Sequence, residues 1–266
     1  MPTAEPEVLA SGYQLVEGPR CDGKGGVYFT DALGGGVHRW STDGIDIVVP
    51  KRRGVGGLAL HADGGVVVSG RDVTHVAPDG TNRLLFAAPE GVTGFNDIAA
   101  MADGTILAGG LRFMPFTAED PVPGAFWHVT SPETSELVID NIEWPNGVGD
   151  TGDGVWCCND YSRGRVWVID GDDHRMLTTP TGEADGLAFD EEGGVWVAQP
   201  RAGSLVRLRL DGSVDQTLEL PGVQPASVAF DDDTMYVTTI ANDSRSGELL
   251  RLRAPIAGRR HHFATI

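Results

Sequence analysis

The chain has 266 residues, of which 41% are hydrophobic, so it is long enough and apolar enough to form a real core, and this composition excludes intrinsic disorder. Its formal net charge is −18, which predicts no nucleic-acid partner and no acidic membrane surface as a partner, because both are polyanions. The 37 glycines predict a chain with many tight turns.

The first residues, "MPTAEPEVLA", lack the basic and apolar regions of a secretory signal, and no apolar run approaches the ~20 residues that a membrane helix needs. Only three cysteines occur. Cys157 and Cys158 are adjacent in an apolar strand pattern, and Cys21 stands alone, so no metal-binding or redox spacing is present. We therefore expect buried, reduced cysteines in a cytoplasmic protein.

One unit recurs six times along the chain: a short strand, a turn rich in Asp and Gly, a second strand and a third strand. The copies follow one another at about 40 residues, with one longer spacing of about 49, and they begin at Val27, Val66, Ile106, Val155, Val195 and Met235. No segment shows a sustained helical period. The pattern predicts an all-β fold, a six-bladed β-propeller with four-stranded blades around a central channel, as a single domain over residues 1–266.

Two segments lie outside the regular units. The N-terminal "EVLASGYQLV" is predicted to add a strand to the last blade and so close the ring, because an open ring would leave exposed strand edges. The extra length after the third unit is "GLRFMPFTAEDPVPGAF", residues 110–126. Its prolines and phenylalanines predict an ordered, lid-like loop over one rim of the ring.

The innermost strands of the six units can be aligned in one register. The fourth position is small in five of them, because blades are narrowest at the axis. The first position carries an oxygen-bearing side chain in four blades, and around the ring it reads Glu17, Gly56, Asn96, Asn146, Asp185 and Ala226. Equivalent positions at one channel mouth converge. Two carboxylates and two amides suit a hard divalent cation such as Ca²⁺ or Mg²⁺.

The alternative interpretation is that these Asp and Asn side chains only cap turns at the strand starts. That interpretation is the one we adopt for the aspartates of the repeated Asp-Gly turns, namely Asp63, Asp79, Asp103, Asp153 and Asp211. Asp31 and Asp160 recur after the second strand of their units, and we expect them to stabilise their blades.

Four stretches carry a family resemblance: "LVEGPRCDGKGGVYFTDALGGGVHRW", "FNDIAAMADGTILAGG", "WPNGVGD" and "ADGLAFDEEGGVWVA". In order and spacing they resemble the regucalcin, gluconolactonase and luciferin-regenerating enzyme family, the senescence marker protein-like lactonases. The resemblance implies a six-bladed propeller that hydrolyses lactones with a bound divalent cation. It implies Glu17, Asn146 and Asp185 as metal ligands, Asn96 beside the metal at the substrate, and Asp97 as the next substrate-binding candidate.

One position departs from the family pattern. Sugar-lactone members tend to have Arg two residues before the Asn of "FND", where this chain has Gly94. The loop and the fourth blade offer other candidate substrate contacts: Arg112, Phe113, Met114, Phe116 and Trp144. The pocket is therefore predicted to prefer a larger or less polar substrate than gluconolactone. Ordinary packing under the loop is the alternative role for these aromatic residues.

The sequence thus predicts a metal-dependent lactone hydrolase in which the metal polarises the lactone carbonyl and Asp185 activates water. Its partner would be a small-molecule lactone or ester. Ca²⁺ is the first choice of cation, with Mg²⁺, Mn²⁺, Zn²⁺ or Fe²⁺ as alternatives. Two other functions stay open: a different reaction on the same ring, such as phosphotriester or other ester hydrolysis or a condensing or cyclising step, and a non-catalytic calcium-binding protein.

No G-x-S-x-G elbow is present, which disfavours serine-hydrolase chemistry. His261 and His262 follow two arginines near the end of the chain and are interpreted as part of a solvated tail. The oligomeric state is not encoded in any pattern of the sequence.

Overall fold

The computed structural model describes residues 5–266 and arranges them as six small, mainly antiparallel sheets around a central channel. Each sheet is one blade: four sheets have four strands, one has a fifth strand at its inner edge, and in the sixth a long strand that folds back fills two of the four positions. The predicted six-bladed β-propeller with four-stranded blades is confirmed. Residues 5–266 form no helix with the length and hydropathy that crossing a bilayer requires.

The strands in chain order are β1 (Glu7–Tyr13), β2 (Val16–Cys21), β3 (Val27–Asp31), β4 (Val37–Ser41), β5 (Gly44–Val49), β6 (Leu58–His61), β7 (Val66–Val68), β8 (Asp72–Val76), β9 (Asn82–Ala87), β10 (Gly94–Ala100), β11 (Ile106–Leu111), β12 (Gly124–Ser131), β13 (Thr134–Ile142), β14 (Pro145–Asp150), β15 (Val155–Asp160), β16 (Arg165–Asp170), β17 (Asp173–Thr178), β18 (Leu187–Phe189), β19 (Val195–Gln199), β20 (Ser204–Leu208), β21 (Val214–Glu219), β22 (Pro225–Thr239), β23 (Gly247–Gly258) and β24 (Phe263–Ala264). Blades 1 to 5 take β2–β5, β6–β9, β10–β13, β14–β17 and β18–β21, and β24 joins blade 2.

Blade 6 is built from both ends of the chain. Strand β22 turns at Asp232, whose φ is 52°, and folds back so that the Ile240 N–H donates to the Gln224 carbonyl at 2.9 Å. It therefore supplies the two inner strands of the blade. Strand β23 pairs with β22, and β1 pairs antiparallel with β23, with Glu7 opposite Arg251. The N-terminal strand closes the ring, as the sequence predicts.

Alternating residues of each strand pack against opposite neighbouring blades. In β19, Val195 and Val197 belong to the core between blades 4 and 5, whereas Trp196 and Ala198 belong to the core between blades 5 and 6. The strand period of two is therefore the period of blade stacking. Cys157 likewise lies in one inter-blade core and its neighbour in the next, and all three cysteines are buried and free.

The inner strands approach one another so closely that some positions have no room for a side chain. A Cβ on Gly57 of blade 2 would lie 2.7 Å from the Cα of Asp97 in blade 3. A Cβ on Gly149 of blade 4 would lie 2.8 Å from the ring of Phe189 in blade 5. Distances below 3 Å do not occur between such atoms, so the small residues at the axis are a condition for closing the ring.

Segment 259–266 crosses the channel mouth and contacts every blade, so the interpretation of His261 and His262 as a solvated tail is wrong. In blades 1 to 3, the Cys21 N–H donates to His261 Nε2 (2.9 Å), β24 pairs parallel with β6, and the Thr265 N–H donates to the Gly104 carbonyl (2.9 Å). In blades 4 and 5, the Arg259 side chain donates to the Thr151 carbonyl and the Arg259 backbone N–H donates to the Phe189 carbonyl (2.9 Å). In blade 6, the Arg260 side chain donates to the Asp232 carboxylate (2.9 Å). Burial lowers the pKa of His261 well below its usual range, with Arg20 and His262 adding to the effect, and its ring therefore stays neutral.

Removal of residues 263–266 is expected to destabilise the ring. It breaks the β24 ladder, the Thr265 hydrogen bond and the hydrogen bond from Arg83 to the Ile266 carbonyl at 2.9 Å, at about 1 kcal/mol each. We expect a melting temperature about 5–12 °C lower by calorimetry. Phe263→Ser, which alters only a half-exposed side chain, is the control and should melt like the parent. A truncated chain with an unchanged melting temperature would contradict this role.

Candidate active site

A cavity of about 590 Å³ opens at the channel mouth opposite segment 259–266. The four oxygen-bearing side chains that the sequence aligned in one register, Glu17, Asn96, Asn146 and Asp185, all line this cavity. They come from four different blades, so the common register of the inner strands brings them together. Trp144, another predicted substrate contact, lies on the wall of the same cavity.

Three of the four residues lie on inner strands, Glu17 on β2, Asn96 on β10 and Asn146 on β14. Asp185 lies two residues before β18, and its N–H donates to the Ala198 carbonyl of β19 at 3.0 Å. The inner-strand ladders shift register at or directly after the three strand residues, between Glu17 and Arg20, between Phe95 and Ile98, and between Pro145 and Val148. Irregularities of this kind re-aim a side chain, here toward the channel.

Two further carboxylates fix the start of the inner strands. Asp31 accepts the Leu15 N–H at 3.2 Å, and Asp160 accepts the Trp144 N–H at 3.2 Å. In both blades the bonded N–H lies two residues before a predicted metal ligand. Asp31 and Asp160 therefore stabilise their blades, as the sequence indicated, and they do so at the point where the site is anchored.

The orientation of Asn96 is set by one hydrogen bond. Its Nδ2 donates to the Pro145 carbonyl of the neighbouring blade at 2.9 Å. Its Oδ1 then occupies the space that a Cβ on Gly56 would need. Gly56 holds the first register position of blade 2, so the absence of a side chain there is what lets the Asn96 carboxamide oxygen sit in the channel.

Asp185 has one carboxylate oxygen without a protein partner. Its Oδ1 is fully buried and accepts no hydrogen bond, while the Asn146 carboxamide lies within hydrogen-bonding reach of the same carboxylate. A buried carboxylate oxygen with no partner costs free energy. A divalent cation is the partner that this donor set fits, since its donors are carboxylate and carboxamide oxygens. Within residues 5–266 no group of three His, Cys, Asp or Glu side chains is placed to hold a metal ion, so a cation here would need a carboxamide oxygen beside the two carboxylates.

The site concentrates negative charge away from water. Burial raises the pKa of Glu17 well above its usual range, and the charges of Asp185 and Asp97 raise it further. Burial, followed by the charges of Asp97 and Glu183, raises the pKa of Asp185 in the same direction. Both carboxylates are therefore held as ions only at a cost that a bound cation would remove.

Asp97 lies below the cavity rather than on its wall. Burial raises its pKa to about 6, opposed by the charge of Arg20. Arg20 Nη2 is 3.5 Å from Asp97 Oδ1, and both side chains are buried. The same guanidinium donates to the carbonyls of Pro19 and Ile98 at 2.9 Å, so it reaches from blade 1 to blade 3 across the channel.

Two other predicted substrate contacts also lie off the cavity wall. Arg112 donates to the Pro123 carbonyl at 3.1 Å and to Asp140 at 2.9 Å. Phe113 is buried and packs edge-on against Trp144, with ring centroids 5.1 Å apart. These two residues support the wall from behind. Their role as direct substrate contacts stays a prediction.

The loop after the third unit forms part of the cavity wall. Strand β11 ends at Leu111 and β12 begins at Gly124, so the loop is shorter than the sequence pattern suggested. It places Met114, Pro115 and Phe116 on the cavity, and Phe116 meets Trp144 edge-on with centroids 6.0 Å apart. The aromatic residues of the loop thus line the mouth of the site.

Several wall residues were not identified from the sequence: Leu15, Leu33, Arg53, Arg71, Tyr161 and Ile240. Most lie in connections at the same end of the inner strands as the four ligands. The register of the inner strands locates this end, and it would have indicated these connections as wall candidates, although not the side chains that face inward.

The comparisons with known proteins identify the family of the chain. The family model described as "SMP-30/Gluconolactonase/LRE-like region" matches residues 15–241. The chain is 28% identical over 244 residues to a 6-deoxy-6-sulfogluconolactonase of Pseudomonas putida, covering 84% of this chain and 82% of that one. It is also 28% identical over 241 residues to an L-arabinolactonase of Azospirillum brasilense, covering 82% of this chain and 78% of that one.

Among solved structures, one titled as the calcium-binding protein regucalcin from Agrobacterium tumefaciens superposes with a TM-score of 0.82 at 20% identity, over 99% of this chain and 98% of that one. This likeness shows a shared fold over the whole ring. The family model covers all four site residues, from Glu17 to Asp185. The chain belongs to the SMP-30/gluconolactonase/LRE-like family.

Proposed function

We propose that this protein is a lactone hydrolase that depends on one divalent cation held by Glu17, Asn146 and Asp185. The observation that carries the proposal is the unpartnered, buried Oδ1 of Asp185, which shares a cavity floor with a second carboxylate and two carboxamides. Unsatisfied polar groups in a cleft are more common at functional sites than in structural positions.

The relatives support hydrolysis of a lactone. Both curated relatives are named lactonases, at 28% identity over most of each chain. A structural neighbour is titled as a calcium-binding protein, which supports a cation on this scaffold. At these identities the class of reaction transfers more safely than the substrate does.

A divalent cation bound here would polarise the lactone carbonyl and stabilise negative charge on its oxygen. Asp185 is the residue that we propose as the base. Its carboxylate lines the cavity floor, so it is placed to take the proton of a water that attacks an ester bound there. Glu17 acts mainly as a ligand, and its negative charge holds the cation against the cavity floor.

Asn96 and the walls position the ester. The Asn96 carboxamide is locked by its bond to the Pro145 carbonyl, so its oxygen presents a fixed acceptor to the substrate or to its waters. The rings of Trp144 and Phe116 line the mouth and offer an apolar surface to the substrate. These residues would contribute to the rate by orienting the ester.

The oxygen ligands suit calcium, and they also accept other divalent cations. Carboxylate and carboxamide oxygens accept Ca²⁺, Mg²⁺, Mn²⁺ and Fe²⁺ alike, and the absence of His and Cys from the set leaves Zn²⁺ the least suited of the candidate ions. We propose Ca²⁺ as the resident cation because two carboxylates with neutral oxygen donors and space for water match its preferred coordination.

We expect cation-dependent hydrolysis of a panel of lactones, from gluconolactone to apolar γ- and δ-lactones, followed by pH-stat after chelation and re-addition of each metal. Asp185→Ala should lower kcat/KM by about 10³-fold or more, since it removes a ligand and the base together. Asn146→Ala should weaken cation binding in calorimetry with the fold intact. Asp79→Ala, in an exposed turn on blade 2, is the control and should keep full activity.

Stoichiometric cation binding without turnover on any lactone would favour another reaction on this ring or a non-catalytic calcium-binding protein. Loss of the fold in both the Asp185 and the Asn146 variants would instead indicate that these side chains only cap turns.

The charges of the site predict a stability effect. Because burial raises the pKa values of Glu17 and Asp185, these two groups bind more protons in the folded, cation-free protein than in the unfolded chain, so the stability that they contribute falls as pH rises above about 4. Asp185→Asn removes one of these charges. At pH 8 in chelator it should melt about 2–6 °C higher than the parent, for a gain of about 1–2 kcal/mol.

The same variant should lose most of the rise in melting temperature that Ca²⁺ gives the parent. Differential scanning calorimetry with and without Ca²⁺ measures both effects. A cation-free Asp185→Asn protein that melts below the parent at pH 8 would show that the carboxylate has a structural role instead.

A further inference from the structure

Above the floor of the cavity, the charged side chains of the wall are all positive. Glu17 and Asp185 lie at the floor, and the other charged residues that line the cavity are Arg53 and Arg71. The chain has 38 acidic residues and 20 lysines and arginines, so a wall with two arginines and no carboxylate departs from its average surface. Two positive side chains on the wall attract anions to the mouth of the cavity.

Both guanidinium groups keep N–H donors that bond no described protein group. Arg53 is exposed and forms no salt bridge or side-chain hydrogen bond with the residues that the structure describes. Arg71 is 89% exposed and bonds Asp72 through Nε at 3.1 Å, which leaves its two terminal nitrogens free. Asp72 is itself held by Arg52 at 2.6 Å. Donors therefore remain for a ligand at the mouth.

Gly94 explains why Arg71 reaches the cavity. The Phe95 N–H donates to the Gly70 carbonyl at 2.6 Å, so the connection before β8 lies directly against the start of β10. A Cβ on Gly94 would lie 2.9 Å from the Gly70 carbonyl oxygen. A larger residue at position 94 would therefore push this connection away, together with Arg71.

Apart from the hydroxyl of Tyr161, the rest of the wall has few polar side-chain groups that could bond sugar hydroxyls. It is formed largely by apolar side chains, among them Leu33, Phe116, Trp144 and Ile240. The hydroxyl of Thr93 already donates to the carbonyl of Phe113 at 2.7 Å. A polyhydroxylated lactone would bury hydroxyls without partners here, at a cost for each.

We infer that the preferred substrates are lactones that carry both an apolar substituent and a negatively charged group, and that Arg53 and Arg71 bind the charged group. The inference rests on the proposed function, since it names the substrate class of the same cavity. The apolar part packs on the aromatic wall while the anion stays at the mouth, where it does not have to lose all its water.

The test uses matched pairs of δ-lactones whose alkyl or aryl substituent ends in a carboxylate or in its methyl ester. We expect kcat/KM for the carboxylate to exceed that for the ester about twofold to fivefold at low salt, the effect of a charge pair at the surface. The ratio should fall as salt rises. It should approach one in Arg53→Gln/Arg71→Gln, and it should keep its value in Arg175→Gln, which removes an exposed arginine on an outer strand of blade 4.

Binding of the corresponding lactams, which resist hydrolysis, is measured by calorimetry on the same proteins. A preference for the anionic lactam that depends on the two arginines supports the inference even if no lactone is turned over, in which case only the proposed reaction fails. Turnover or binding that is equal for the two members of each pair overturns the inference and leaves the proposed reaction standing.

A second inference concerns Arg20, which lies between the cavity and a smaller one of about 50 Å³ beneath segment 259–266. Four buried carboxylates interact here, those of Glu17, Asp97, Asp185 and Glu183. Glu183 accepts the Arg201 N–H at 2.8 Å, and Arg20 is the guanidinium in contact with Asp97. We propose that Arg20 is the fixed counter-ion of Asp97. The two carboxylates of the predicted ligand set, Glu17 and Asp185, then match the charge of a single divalent cation.

Arg20→Met tests this positioning role. It should lower the melting temperature of the cation-free protein at pH 8, because Asp97 is left buried without its partner, and it should tighten Ca²⁺ binding about threefold or more in calorimetry because the site becomes more negative. Arg20→Met/Asp97→Asn should restore both values, and Arg20→Lys should restore them in part.

A purely structural residue would give the opposite result for cation binding. If Arg20→Met weakens Ca²⁺ binding, or if the double variant is no closer to the parent than the single variant, Arg20 is not the counter-ion that we propose.

Discussion

Close packing of the six inner strands around one axis is the constraint on which the rest of the structure depends. Gly57 and Gly149 have no room for a Cβ, and the neighbouring blades fill that space with backbone and ring atoms. A polar side chain can reach the axis only where the neighbouring blade has a residue without a side chain, as Gly56 lies next to Asn96. The pattern of small residues that closes the ring therefore also determines which polar groups can meet inside it.

Those polar groups meet where water is scarce, and this gives the site its chemistry. A carboxylate that is buried beside other carboxylates is a stronger base and a stronger cation ligand than the same group on the surface. The arrangement holds unfavourable charge in Glu17 and Asp185, and the charge of Arg20 offsets part of it at Glu17 and at Asp97. Active sites are often less stable than the rest of the fold for this reason, and here the hydrogen-bonded blades stabilise the protein as a whole.

Repetition made much of the fold and the floor of the site predictable. Six similar units fix the blade number, and a shared register identifies the side chains that converge, from Glu17 to Asp185. Features that occur once had no such signal. Strand β24 is two residues long and carries no periodicity, so its place beneath the ring depends on contacts that only the folded chain provides. Arg20 sits in a strand whose other neighbours are buried, and nothing local distinguishes a buried ion pair from a surface charge.

Segment 259–266 crosses the far side of the ring, and the guanidinium of Arg20 spans the channel above it. The cavity therefore opens on the side of the ring away from that segment. In the proposed lactone hydrolase, the hydroxy acid formed would leave through the same mouth by which the next substrate enters, so the two would compete for the same space. The residues around that mouth, Phe116 among them, would then act on release as well as on capture.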